Sequence, residues 1–174
     1  MDTGLLILRA VTGWLLAAHG LQKTTFLFGG SGIQGGVDEF RQDGFRGGTV
    51  TALAAGLGQI AAGLMFLAGF LTPLAAATAI GVMTVAVTVK WANGPWAPHD
   101  GYEYPAYLVV ASAVLALTGP GRWSVDDLLD RATWPVWTAL VAIGIGVVSG
   151  LGTRSVLKTK SALETKSVLG GGAR

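Results

Sequence analysis

Long runs of apolar residues, separated by short stretches rich in glycine, proline and aromatics, set the pattern of this chain. Five runs read as membrane-crossing segments: 4–21, 50–71, 73–89, 104–119 and 134–151. A helix needs about 20 residues (range roughly 17–25) to cross the hydrocarbon core. The second, third and fifth runs meet that length without a charged residue. The first carries Arg9 and His19, and the fourth is slightly short. The pattern predicts an all-α integral membrane helical bundle of four or five spans. Residues 1–152 then form one transmembrane domain, and 153–174 a basic, flexible cytoplasmic tail.

The connections refine this picture. Only Leu71-Thr72-Pro73 separates the second and third spans. Proline suits a first helical turn, where its missing N–H has no partner to lose, so these spans are expected to form an antiparallel hairpin. The stretch from Gln22 to Gly48 is glycine-rich and carries Phe26, Phe28, Phe40 and Phe45. A structureless solvated loop is the expectation there, with an interfacial or re-entrant segment as the alternative. Trp91, Trp96, Tyr102, Tyr104, Trp123 and Trp134 fall near predicted span ends, where aromatic belts form.

Composition narrows the class. Of 174 residues, 51% are hydrophobic and only 13% charged. That charged fraction is about half the roughly 25% of soluble domains. Mean hydropathy is +0.56. The 27 glycines suit helices whose backbones approach closely in lipid. There is no cysteine, which excludes disulfides, thiol relays, iron–sulfur clusters and covalently attached haem. The opening Met1-Asp2-Thr3 lacks the basic start of a signal peptide, so the first run is expected to remain a membrane helix.

Charge placement predicts orientation. With five spans and the C-terminus inside, Lys23, Arg41, Arg46, Lys90, Arg154, Lys158, Lys160, Lys166 and Arg174 all lie on the inner side. Those are nine of the 12 basic residues. The positive-inside rule therefore favours N-out, C-in. The tail repeats a Thr-Lys-Ser unit at 159–161 and 165–167. It is expected to be solvated and to act mainly as a topology signal. The alternative is a surface helix drawn to anionic lipid by about 1 kcal/mol per basic residue.

Ionisable groups within spans are rare, because each costs at least ~2.5–3.5 kcal/mol at the bilayer centre. Arg9 either snorkels to the near interface or points inward at carbonyls or an anionic ligand. His19 and Lys23, four residues apart, share a helical face and could hold a quinone carbonyl or an anion. The plainer alternative has Lys23 snorkelling and His19 capping a kink at Gly20. Gln59 is expected to hydrogen-bond across to another helix, for about 1 kcal/mol. Lys90 ends the third span, and Tyr102-Glu103-Tyr104-Pro105 opens the fourth. Together these could line a pocket mouth or simply anchor the interface. The candidate ligand-binding set is thus Arg9, His19, Lys23, Gln59, Lys90 and Tyr104, with no catalytic residue assigned. The two histidines do not by themselves argue for haem, and His99, Asp100 and Glu103 look like solvated loop rather than a metal site. No metal is expected. The glycine-rich 29–36 follows a membrane helix rather than a strand, which argues against a dinucleotide fingerprint.

Several of these stretches together resemble the DoxX family of small bacterial membrane proteins. The carriers are His19-Gly20-Leu21-Gln22-Lys23, the run from Gly56 to Pro73 ending in Leu-Thr-Pro, Gly94-Pro95-Trp96, Gly101 to Pro105, and Leu117 to Gly121. The likeness covers roughly residues 4 to 125. It implies a four-helix membrane core, to which the fifth span is an addition, in the bacterial plasma membrane. It further implies a link to quinone-dependent or oxidative-stress redox chemistry. On that reading the chain is an accessory or anchor subunit, not catalytic alone. Its partners would be membrane lipids and soluble or membrane oxidoreductases, with no nucleic acid. It would hold no intrinsic cofactor, though a quinone could bind. The alternative is a non-catalytic scaffold, or a carrier of a small or lipidic ligand. Family members often carry a glutamate where Gln59 stands, so any mechanism that moves a proton through that carboxylate is in doubt here.

Overall fold

The computed structural model describes residues 2–46, 48–131 and 133–158. Of the tail expected over 153–174, residues 153–157 are instead the last turn and more of a helix that ends at Leu157, and the part beyond Lys158 lies outside the described residues. Among the described residues seven α-helices follow one another: α1 (Asp2–Thr24), α2 (Gly32–Gln42), α3 (Thr49–Ala68), α4 (Thr72–Lys90), α5 (Glu103–Thr118), α6 (Val125–Leu128) and α7 (Val136–Leu157). Short 3-10 turns connect some of them, and no strand occurs among the described residues. Four of the described helices are long and apolar enough to cross a membrane: α1, α3, α4 with its 3-10 extension, and α7. α5 is apolar but has 16 residues. The chain is an all-α membrane helical bundle, as its hydropathy pattern predicts.

α4 forms the centre, packed against α3, α5 and α7, while α1 packs mainly on α3. Glycines set the closest crossings. A Cβ on Gly63 would lie 2.5 Å from the Gly13 carbonyl oxygen, and one on Gly20 would lie 2.5 Å from that of Gly56. At the α4–α7 crossing, a Cβ on Gly146 would meet Ile80 at 2.8 Å, and one on Gly150 would meet the Gly81 carbonyl oxygen at 2.7 Å. In lipid, water does not drive helices together, so such small residues supply the packing that does. Leu16, Phe66, Ile80, Leu108 and Leu115 fill the fully buried interior between these crossings.

Two expectations need correction. The stretch from Gln22 to Gly48 is not structureless, because α2 occupies its middle. Ile33, Val37 and Phe40 recur at helical spacing, which gives α2 an apolar face. Val37 is buried, and the Lys23 ammonium reaches Glu39 at 2.6 Å. Nor does α1 kink at Gly20. It continues to Thr24, with Gly20 seated against α3.

The end of the bundle that holds Arg9 is closed by a clasp. α3 stops at Gly69, whose left-handed backbone (φ 63°) turns the chain, and Pro73 sits in the first turn of α4. The side chain that caps α4 comes from far along the sequence. The Asp126 carboxylate accepts from the Leu71 N–H (2.9 Å), the Thr72 N–H (3.1 Å), the Thr72 hydroxyl (2.9 Å) and the Trp134 indole N–H (3.0 Å). Its own N–H donates to the Gly69 carbonyl at 2.9 Å. A carboxylate at a helix N-terminus satisfies unpaired N–H groups and opposes the helix dipole.

Asp126→Ala is expected to destabilise the bundle by about 3 kcal/mol or more, since each buried donor left unpaired costs roughly 1–3 kcal/mol. Asp126→Asn, which keeps one acceptor oxygen, should lose about half as much. Unfolding in detergent, followed by tryptophan fluorescence, measures both. An alanine variant as stable as the parent would mean that the turn holds without the carboxylate.

Candidate functional site

At the opposite end of the bundle, five of the six candidate residues line a single cavity. His19, Lys23, Gln59, Lys90 and Tyr104 border a space of about 590 Å³. This falls within the ~300–1,000 Å³ usual for small-molecule sites. The cavity lies against α4 between α3 and α7, and α2 with its following link closes the Lys23 end.

Helical spacing explains the grouping. His19 and Lys23 face the same way from α1, and Gln59 enters from α3. Lys90 ends α4, and Tyr104 begins α5 beside His19, with ring centroids 5.6 Å apart. The lysines are not free charges. Lys23 pairs with Glu39 at 2.6 Å and lies 5.6 Å from the Phe40 ring centroid, while Lys90 pairs with Asp100. Gln59 is 1% exposed, and its amide oxygen has no hydrogen-bond partner. This corrects the expectation that Gln59 bonds to a neighbouring helix. Its amide lies on the cavity wall instead.

Two acidic groups missed in the sequence also belong here. Glu39 and Asp43 line the cavity from α2 and the link after it. Burial pushes the Asp43 carboxyl above its usual range, and the neighbouring Glu39 charge pushes the same way. The signal that could have found them is the Ile33, Val37, Phe40 spacing, which makes 32–42 a helix placed over Lys23. The C-terminal end of α7 completes the closure. The Arg154 guanidinium donates to the Asp43 carbonyl at 3.2 Å and stands 4.8 Å from the Phe45 ring centroid. Beyond this polar end the walls are small and apolar: Ala54, Ala55, Ala77, Gly81, Val82 and Val85. Val50 and Ala54, both exposed, leave the α3 side open towards lipid.

Arg9 is elsewhere. It is 2% exposed at the clasp end and donates to the carbonyls of Pro120 (2.8 Å) and Trp123 (2.9 Å). Of the two readings of Arg9, the structure has the inward one, with backbone carbonyls as the partners. His99 is exposed in the loop, and no group of three or more metal-ligating residues occurs among the described residues.

The arrangement defines what can be held. With each cavity lysine already paired to a carboxylate, the polar end offers hydrogen bonds rather than net positive charge. An uncharged polar head with an apolar body fits it better than an anion does.

A polytopic α-helical membrane protein, with one polar-ended cavity facing lipid, is the class that this fold and site define. The chain belongs to the DoxX family: the family model, described as DoxX, matches residues 4–91, from α1 through α4. No curated protein and no solved structure matches the chain significantly. The matched region holds His19, Lys23, Glu39, Asp43, Gln59 and Lys90, whereas Tyr104 and the Asp126 clasp lie beyond it.

The Asp43 shift has a sign that can be tested. A carboxyl whose pKa is raised by folding binds its proton more tightly in the native state than in the unfolded one. Stability therefore falls as pH rises from the ordinary value of 3.8 towards the raised native one. Asp43→Asn, which is always neutral, is expected to raise the unfolding temperature at pH 7 and leave it unchanged near pH 3. An equal effect at both pH values would show that Asp43 titrates normally.

Proposed function

We propose that this DoxX-family protein binds a quinone in the cavity at the Lys23 end and serves as an accessory membrane subunit of a redox assembly. The single observation that carries the reading is the meeting of His19, Lys23, Gln59 and Tyr104 at the polar end of an apolar, lipid-facing cavity. Quinone carbonyls accept hydrogen bonds, and the His19 ring, the Lys23 ammonium and the Tyr104 hydroxyl are donors suited to them. The ring would lie among the alanines and valines of α3 and α4. With no cysteine in the chain, electrons would come from a partner protein and pass to the bound quinone rather than through a thiol centre. A scaffold or carrier role remains the competing reading, favoured by the same open side of the cavity, through which an amphiphile could enter and leave.

The protein would sit in the bacterial plasma membrane with its Lys23 end and C-terminus in the cytoplasm. What supports this orientation is the distribution of charge. Lys23, Arg41, Arg46, Lys90, Arg154 and Lys158 gather at one end, against Arg122 and Arg131 at the other.

Extraction in a mild detergent, with co-purified quinone and polypeptides counted together, tests the function. Near-stoichiometric quinone is expected. His19→Ala and Lys23→Ala should each lower its retention by about 10- to 100-fold, since hydrogen bonds involving charged groups contribute ~1.5–3 kcal/mol. Arg9→Leu should leave retention intact, because Arg9 lies at the other end. Protein that carries only lipid, yet moves a small amphiphile across liposomes, would hand the case to the carrier. Orientation can be read independently, because the native chain has no cysteine. An impermeant maleimide added to whole cells should label Arg131→Cys and spare Arg41→Cys. The reverse labelling would invert the topology.

A further inference from the structure

The cavity does not end in the middle of the membrane. Ala77, a third of the way along α4, lines it and also lines a second hollow of about 280 Å³ between α4 and α7, towards the clasp end. Leu74, Ala77, Gly81, Val85 and Val89 recur on α4 at intervals of three and four residues. Val141, Ile145, Ser149 and Thr153 recur on α7 at intervals of four. The two series line the two hollows, which share Ala77 and so adjoin as a furrow along the α4–α7 seam. From Leu74 to Lys90 it spans about 24 Å at ~1.5 Å per residue, most of the ~30 Å hydrocarbon core.

The chemistry of the furrow changes along its length. The Lys23 end carries charged and amide groups. The second hollow is walled by Leu71, Pro73, Leu74, Val141 and Ile145, with the rings of Trp134 and Trp137. The polar atoms nearest it are already engaged: the Trp134 N–H donates to Asp126 at 3.0 Å, and the Thr138 hydroxyl donates to the Pro135 carbonyl at 2.7 Å. Among the described residues, neither the Trp134 nor the Thr138 donor lining that half of the furrow is left unpaired, and a hydrocarbon chain needs no donor.

We infer that the occupant is a long-chain isoprenoid quinone, whose head lies by His19 and Gln59 and whose tail runs past Ala77 into the hollow at Trp137. The inference rests on the quinone reading above and adds the tail to it. Lipid chains are as apolar as the furrow wall, so burying the tail adds little affinity within a bilayer. What the furrow supplies is position: it holds the tail on one seam and thereby fixes the direction of the head.

The test is therefore one of location. Two benzoquinone probes, with a diazirine on the first or on the terminal isoprenoid unit, are photolysed with the full chain in nanodiscs, and the labelled peptides are mapped. The first probe should label residues lining the Lys23 end. The terminal probe should label Leu74, Val141 and Ile145, and an excess of unlabelled long-chain quinone should abolish both patterns. Ala77→Phe, or the milder Ala77→Leu, should cut terminal labelling several-fold while head-end labelling persists. The wild-type pattern decides the matter even if a variant misfolds. Terminal labelling spread equally over Ile7, Leu57 and Leu64, which are exposed on other faces, would place the tail in bulk lipid and overturn the inference. So would a diacyl lipid probe that labelled the α4–α7 hollow as selectively. Failure of the first probe to label the Lys23 end would instead remove the quinone reading itself, and the tail with it.

Discussion

The carboxylate of Asp126 ties the turn between α3 and α4 to the segment between α5 and α7. It accepts from the backbone N–H groups of Leu71 and Thr72 at the start of α4, from the Thr72 hydroxyl beside them, and from the indole that precedes α7. A turn between two membrane helices must satisfy its polar backbone without help from lipid. Leu71, at the cap position of α4, has no side chain that could do this, and its left-handed backbone (φ 46°) is unfavourable for leucine. The distant carboxylate offsets that cost and ties the α3–α4 turn to the α5–α7 link. Arg9 extends the clasp to α1 through the carbonyls of Pro120 and Trp123. Three elements are thereby fixed at one end by hydrogen bonds.

The glycine crossings explain how a small bundle can hold a cavity at all. α1 and α3 meet backbone to backbone at Gly13–Gly63 and Gly20–Gly56, and α4 meets α7 at Gly81–Gly150. Because both pairs are drawn so close, α3 and α7 cannot also close on one another across α4. The gap left between them is the cavity. α2 and the α7 terminus then cover only its polar end, where Arg46 donates to the Leu157 carbonyl at 2.6 Å and Phe45 bridges to Lys158. The open side faces the only solvent that an apolar wall tolerates.

The spans were legible because lipid imposes a simple demand, an uncharged run of sufficient length, and α3, α4 and α7 meet it. The pairing of His19 with Lys23 was legible from their spacing on one helix. α2 was not, because glycines at 32, 35 and 36 mask a short apolar face that only packing against Lys23 and α3 makes stable. The fate of Arg9 was also out of reach. Its two acceptors are backbone carbonyls 111 and 114 residues away, and a backbone carbonyl leaves no mark in residue identity. Asp126 sits in an ordinary Ser-Val-Asp-Asp helix start, whose cap, Ser124 to the Asp127 N–H, is visible in the sequence while the longer reach to Thr72 is not.

Gln59 bears most directly on what such a site can do. A carboxylate at that depth would need a cation or a proton, and both cavity lysines are already paired with Glu39 and Asp100. The neutral amide removes that demand. It leaves a buried group that can both donate and accept, with its oxygen unspent. An unpaired buried acceptor costs about 1–3 kcal/mol, a cost that a ligand hydroxyl reverses on binding. A quinone lacks that hydroxyl and its reduced quinol has it. On the quinone reading proposed above, the amide oxygen would favour the quinol, while the donors around it would serve the quinone. A site with both features could hold either redox form, which is what that reading asks of it.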